Sequence, residues 1–155
     1  MTLDELIARE SIRDLVARYN ANGDSGRFDQ VVELFAPDAV MEVNGVVHRG
    51  HDEIRSIFTT TASSLRGFTD MPVLRHTTST LQIDVTGPAT ARSRCYHVVL
   101  LPHGVDHWGR YLDEYGLIGD RWLFTHRKVV NDGYVPGGFR DARENLSDPG
   151  PSRSS

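Results

Sequence analysis

Apolar residues recur at helical spacing through the first third of the chain and then switch to alternation. Leu3, Leu6, Ile7, Ile12, Leu15, Val16 and Tyr19 fall on one stripe, and Thr2 with Glu5 has capping-box spacing, which predicts a helix over 3–21. Phe28, Val31, Val32 and Phe35 repeat the pattern over a shorter stretch, with Asp24 or Ser25 as N-cap and Pro37 as stop. Residues 40–43 and 46–49 flank Asn44-Gly45, the dipeptide suited to a two-residue type I′ hairpin turn. Ile54, Ile57, Phe58 and Leu65, behind the acidic start Asp52 and Glu53, predict a third helix that ends in a loop over 67–72.

From Arg75 the period becomes two: Leu81, Ile83 and Val85 alternate with Thr80, Gln82 and Asp84. Three more β-rich runs follow at 89–101, 107–118 and 122–130, and their short connections favour antiparallel neighbours. Helices first and a sheet second predict an α+β domain over 1–140, with helices covering one face of a curved antiparallel sheet and a pocket between. The tail 141–155, rich in Pro, Ser and charge, reads as disordered.

Composition narrows the function classes. With 17 Lys and Arg against 21 Asp and Glu, the net charge is −4, and no basic run marks a nucleic-acid track or an anionic membrane surface. The lone Cys95 excludes an internal disulfide and a Cys-rich zinc site. No segment reads as a secretory signal or approaches the roughly 20 apolar residues of a span, so a soluble, cytoplasmic protein is expected. The glycines of 133–138 flank Pro136 with no helical pattern behind them, which argues against a phosphate loop. His48 and His51, beside Glu53, straddle Gly50 at a strand-to-helix junction instead of sharing a helix face, so no metal is expected.

Unassisted proton transfer remains, and Tyr19, Asp24 and His76 supply a phenol, a carboxylate and an imidazole for it. Structural uses stay open for each. Asp24 precedes a helical pattern and can cap it; His76 can lie on the wet face of its strand; Tyr19 falls on a packing stripe. Tyr111 shares an alternate face with Asp113 and Tyr115. Arg127 alternates with His126, so only one of them points inward, and Arg127 can instead pair with Asp113 or Glu114.

Tyr19 with Asp24, Leu34-Phe35-Ala-Pro-Asp38-Ala39, Gly50, Arg75-His76, Gly109-Arg110-Tyr111-Leu-Asp113, and Trp122 with Arg127 follow one another in the chain. In carrying them in this order, the chain over 3–132 resembles the SnoaL-like branch of the NTF2-like cone fold. The resemblance implies three helices on a curved sheet around a cavity, and cofactor-free chemistry on an apolar ligand, as in the family's dehydratases, dehydrochlorinase and polyketide cyclases. It pairs His76 as base with Asp24 as its orienter and turns Arg127 inward. A dehydration would then use Tyr111 or Arg127 at the oxyanion and Tyr19 at the leaving hydroxyl. His107, Phe58, Trp108 and Phe139 are the expected substrate-binding walls. The implied function is a cofactor-independent lyase or isomerase acting on a small, largely apolar hydroxy-carbonyl of polyketide or steroid type. A non-catalytic small-molecule binding protein of the same fold is the alternative. Val98-Val99-Leu100-Leu101 has apolar groups for both sheet faces, which suggests a homodimer or homotrimer through the sheet.

Overall fold

The computed structural model describes residues 1–147. Helix α1 (Leu3–Asp24) starts with the capping box in place: Glu5 N–H donates to Thr2 Oγ1 at 3.2 Å and Thr2 N–H to Glu5 Oε2 at 2.9 Å. A short α2 (Phe28–Val32), β1 (Phe35–Val43), β2 (Val46–Arg49) and α3 (Gly50–Phe68) follow. The remaining elements are β3 (Arg75–Gly87), β4 (Thr90–Leu101), β5 (Gly104–Ile118), β6 (Arg121–Tyr134) and α4 (Phe139–Ser147). The six strands form one sheet in the order β2-β1-β6-β5-β4-β3, antiparallel except where β1 runs parallel to β6. Asn44 and Gly45 both adopt positive φ, 54° and 76°, as the two-residue turn between β1 and β2 requires.

One face of the sheet carries the core. Ile12, Leu15, Val16 and Tyr19 of α1, with Ile54 of α3, pack on Ile83, Ala91, Cys95, Tyr111, Tyr115 and Phe124 from the strands. A smaller cluster of Leu65, Val99, Leu101 and Phe139 joins α3, β4 and α4. No helix among the described residues is long and apolar enough to cross a membrane.

Four local expectations are corrected. Helix α1 runs one turn past residue 21, so Asp24 ends it; the N-cap of α2 is Arg27, without a side-chain cap, and the capping use of Asp24 falls away. Phe35 opens β1 because its backbone pairs with Phe124 in the parallel ladder, a tertiary bond that helical spacing does not reveal. The tail is helical over Phe139–Ser147, and the remainder of the tail, 148–155, lies outside the described residues. That helix does follow the glycines of 133–138, but its N-terminus is occupied: the buried Asp106 carboxylate accepts from Phe139 N–H at 2.6 Å and Arg140 N–H at 3.1 Å. A capping group 33 residues away is invisible to local pattern.

Strand β3 holds the feature on which the site depends. His76 and Thr78 point to the helix-covered face, and so do Leu81, Ile83 and Val85, although their parities differ. The register slips between Ser79 and Gln82, where Thr80 takes φ 54°, and this bulge turns both sets to the same side.

Candidate active site in the cone cavity

Asp24, on the last turn of α1, meets the first residues of β3. Its Oδ2 accepts from His76 N–H at 2.8 Å and its Oδ1 lies 2.6 Å from His76 Nδ1. The carboxylate thus fixes both the strand start and the imidazole. With Asp24 ionised, Nδ1–H is the donor and the lone pair remains on Nε2.

The pair lines a cavity of about 490 Å³ between the helices and the sheet. Phe28, Ile57, Phe58, Leu65, Val99 and Val129 give it an apolar body, while Tyr19, Tyr111, His97, His107 and Asn131 add polar groups. Phe139 belongs to the wall as expected; Trp108 does not. Its indole lies on the outer face over Gly133, whose hydrogen leaves the room a Cβ would fill 2.4 Å from the ring.

Three histidines form a row across β3, β4 and β5. The His97 ring centroid is 6.5 Å from that of His76 and 6.4 Å from that of His107. His97 stacks on Tyr111 at 4.5 Å. Burial, with the neighbouring His76 and His107, pushes its pKa down to about 3, so it is neutral at physiological pH. Gly109 makes this possible: a Cβ there would lie 2.9 Å from His97 Cε1 and 1.9 Å from Val130 O. His97 was foreshadowed only by parity, since Cys95 and Val99 alternate with it on the inward side of β4. His107 binds Asp106 Oδ2 through Nδ1 at 2.7 Å, and burial lowers its pKa against the pull of that carboxylate. The carboxylate that caps α4 therefore also orients a cavity histidine.

Tyr19 and Tyr111 are buried, and burial raises both phenol pKa values against the opposing Arg127 charge, so both stay protonated donors. Arg127 itself does not reach the cavity. It is fully buried, donates to Asp113 from Nε and Nη2 at 2.8 Å each, and lies 4.0 Å under Tyr19 and 4.1 Å under Tyr111. Its expected role at an oxyanion is thereby corrected to the alternative, the pair with Asp113, which consumes the guanidinium fork. His51 is likewise taken up, its Nε2–H bonded to Phe35 O at 2.8 Å.

Helices laid across one face of a curved, open sheet, with titratable groups gathered beneath them, define an NTF2-like cone with an internal site. The chain belongs to the SnoaL-like domain family, whose pattern matches residues 4–128. A structure of a variant of Rv3472 from Mycobacterium tuberculosis, a protein of unknown function, is 25% identical, with a TM-score of 0.70 over 84% of this chain and 75% of that one. The hexachlorocyclohexane dehydrochlorinase LinA-type3 from Novosphingobium barchaimii is 16% identical, with a TM-score of 0.74 over 86% and 92%. A protein from Novosphingobium aromaticivorans described as a candidate scytalone dehydratase is 18% identical, with a TM-score of 0.71 over 89% and 95%. No curated protein matches the chain in sequence.

Proposed function

We propose that the protein is a cofactor-independent lyase or isomerase of the dehydratase type, acting on a small hydroxy-carbonyl compound with an apolar body. The observation that carries this reading is the 2.6 Å Asp24–His76 pair lining a partly open, largely apolar cavity. His76 Nε2 removes the proton next to the carbonyl, and Asp24 stabilises the imidazolium that forms. Tyr111 donates to the developing oxyanion and Tyr19 to the departing hydroxyl, both held protonated by burial. Arg127 acts as a positioning residue that lies against both rings, and its charge opposes the burial-driven rise of both phenol pKa values. The dehydrochlorinase and candidate dehydratase of the same fold support elimination chemistry. Exposed Tyr96, Leu100, Trp108 and Leu112 on the outer sheet face support self-association through that face.

The test is a panel of aryl and fused-ring β-hydroxy ketones, followed by enone absorbance. A substrate turned over by the native chain is expected to lose about 10²–10⁴-fold in kcat with His76→Ala while the variant stays folded. Undiminished activity in His76→Ala would reject the assignment. Tight binding across the panel without turnover would move the reading to the non-catalytic binding protein.

A further inference from the structure

A second aspartate–histidine pair serves the same cavity as Asp24 and His76. His107 of β5 lines the wall, and its Nδ1 lies 2.7 Å from Asp106 Oδ2. Asp106 is fully buried, and its two oxygens accept from the backbone N–H groups of Phe139 at 2.6 Å and Arg140 at 3.1 Å, with His103 Nε2 a further 3.2 Å contact. A carboxylate that already accepts on both oxygens takes the Nδ1–H of His107 as one more donor, which leaves the ring's lone pair on Nε2. Burial, with His76 and Arg140 nearby, lowers the His107 pKa against the pull of Asp106, so near pH 7 the ring is chiefly neutral and Nε2 is an acceptor.

The sheet register sets where this acceptor stands. His76 pairs with Val99 across β3 and β4, and Val99 pairs with His107 across β4 and β5. The two imidazoles therefore sit on one line across the sheet, two strand spacings or about 10 Å apart at the backbone, with Val99 between them. Among the described residues no hydrogen bond engages His107 Nε2. The wall beside it is apolar: Val99, its cross-strand neighbour, and Phe139, tied through its N–H to the same Asp106, belong to one hydrophobic cluster. An unpaired ring nitrogen in such a wall costs free energy that Phe or Leu at this position would avoid, and a ligand hydroxyl would remove that cost. The phenols of Tyr19 and Tyr111 are donors and suit a ligand's oxygen lone pairs; His107 suits the opposite group, an O–H.

We propose that His107, oriented by Asp106, is a specificity residue that accepts a hydrogen bond from a second hydroxyl of the substrate, one retained in the reaction, while the acidic C–H of the same molecule meets His76. This rests on the functional reading above and narrows its substrate class to a hydroxy-carbonyl with a further alcohol or phenol at the other end of its ring system. The retained hydroxyl fixes which carbon reaches His76 Nε2, so one aspartate–histidine pair positions the molecule and the other transfers its proton.

Binding of 7-hydroxy-1-tetralone and 7-fluoro-1-tetralone, which share a ketone and an apolar ring system, lack the β-hydroxyl that elimination needs and differ in one O–H, separates recognition from catalysis. Calorimetry on the full chain at pH 7 is expected to show the hydroxy ketone binding about fivefold to tenfold more tightly, the scale of one net hydrogen bond. His107→Asn keeps an amide N–H for Asp106 and removes the distal acceptor, and should bring the two affinities within about twofold while the fluoro ketone still binds. Nitrogen NMR of the native chain should show the His107 Nε2 resonance moving with the hydroxy ketone and not with the fluoro ketone, a readout that stands even if the variant fails to fold. His76→Ala should keep the preference, so absence of turnover with the preference intact would count against the elimination reading and leave this assignment standing. Equal binding of the two ketones, failure of both to bind, a preference unchanged in His107→Asn, an Nε2 resonance that ignores the hydroxyl, or a preference lost in His76→Ala would overturn the proposal.

Discussion

Two aspartates in this molecule each hold a cationic or titratable partner at 2.6–2.8 Å, and they serve different ends. Asp113 grips Arg127 in a pocket without solvent, where both side chains are fully buried. Burial opposes the Arg127 charge, but attraction and hydrogen bonding from Asp113 hold its pKa well above the ordinary value. Three aromatic rings, Tyr19, Tyr111 and Phe124, cover the guanidinium at 4.0–4.3 Å, and Tyr115 OH donates to Asp113 at 3.1 Å. The pair itself presents no titrating group to the cavity; Arg127 Nη1 is buried without a hydrogen-bond partner among the described residues. Asp24 instead grips an imidazole that lines the cavity and is 27% exposed on its side chain. The same short carboxylate contact is a buried fixture in one place and, in the proposed reaction, a proton relay in the other, decided by whether the partner titrates and whether it touches open space.

Breaking each pair in turn should give opposite signatures. Arg127→Met strands a buried carboxylate and is expected to cost about 3–5 kcal/mol, a fall of roughly 10 °C in Tm for a chain of this size. Asp24→Asn loses a charged acceptor at a partly wetted site and should cost no more than about 1–2 kcal/mol. Urea titrations of the two variants measure both; equal losses would erase the distinction. Adding Asp113→Leu to Arg127→Met should recover part of the stability, because the stranded charge goes with it.

A second contrast lies between the cavity histidines and is read by pH. His97 has a folded pKa of about 3 against an ordinary value of 6.5, so between these limits the unfolded chain binds the extra proton. Stability from this group is complete above pH 6.5 and falls as the solution is acidified below it, by about 1.4 kcal/mol per pH unit. Urea midpoints from pH 7.5 to 5 should therefore drop less steeply in His97→Gln than in the native chain. An unchanged slope would mean that His97 takes up its proton without unfolding.

The helical stripe of α1, the Asn44-Gly45 turn and the meander were legible because each depends on residues close in sequence. The parallel contact of Phe35 with Phe124 and the capping of α4 by Asp106 were not, since each is a bond between distant segments. In the site, Asp24 and His76 stood out by chemistry, and Tyr19, Tyr111, His107, Phe58 and Phe139 do line the cavity. Arg127 and Trp108 failed for different reasons. Arg127 points inward as the resemblance implies but is intercepted by Asp113 before the cavity; Trp108 lies on the outward parity of β5, opposite to Tyr111. Arg140, at the end of the expected domain, and Arg143, in the tail read as disordered, also line the cavity, on a helix that is capped from β5 and that the composition of 141–155 masks.

Parity would also have misplaced His76, and Thr80 is the reason. Reading outward from Ile83 with strict alternation puts position 76 on the convex face, away from Asp24; the bulge at Thr80 reverses it. A β-branched residue at φ 54° is strained by about 1–3 kcal/mol, and here the strain sits on a residue whose side chain is exposed. Asn tolerates this left-handed conformation without adding the unfolded-state freedom of Gly. Thr80→Asn is therefore expected to stabilise the fold by about 1 kcal/mol, raising Tm by about 2–4 °C, with no change at Asp24 or His76. A drop in Tm would show that Thr80 is held there by contacts that outweigh its backbone strain, and that the bulge is set by its neighbours rather than tolerated by them.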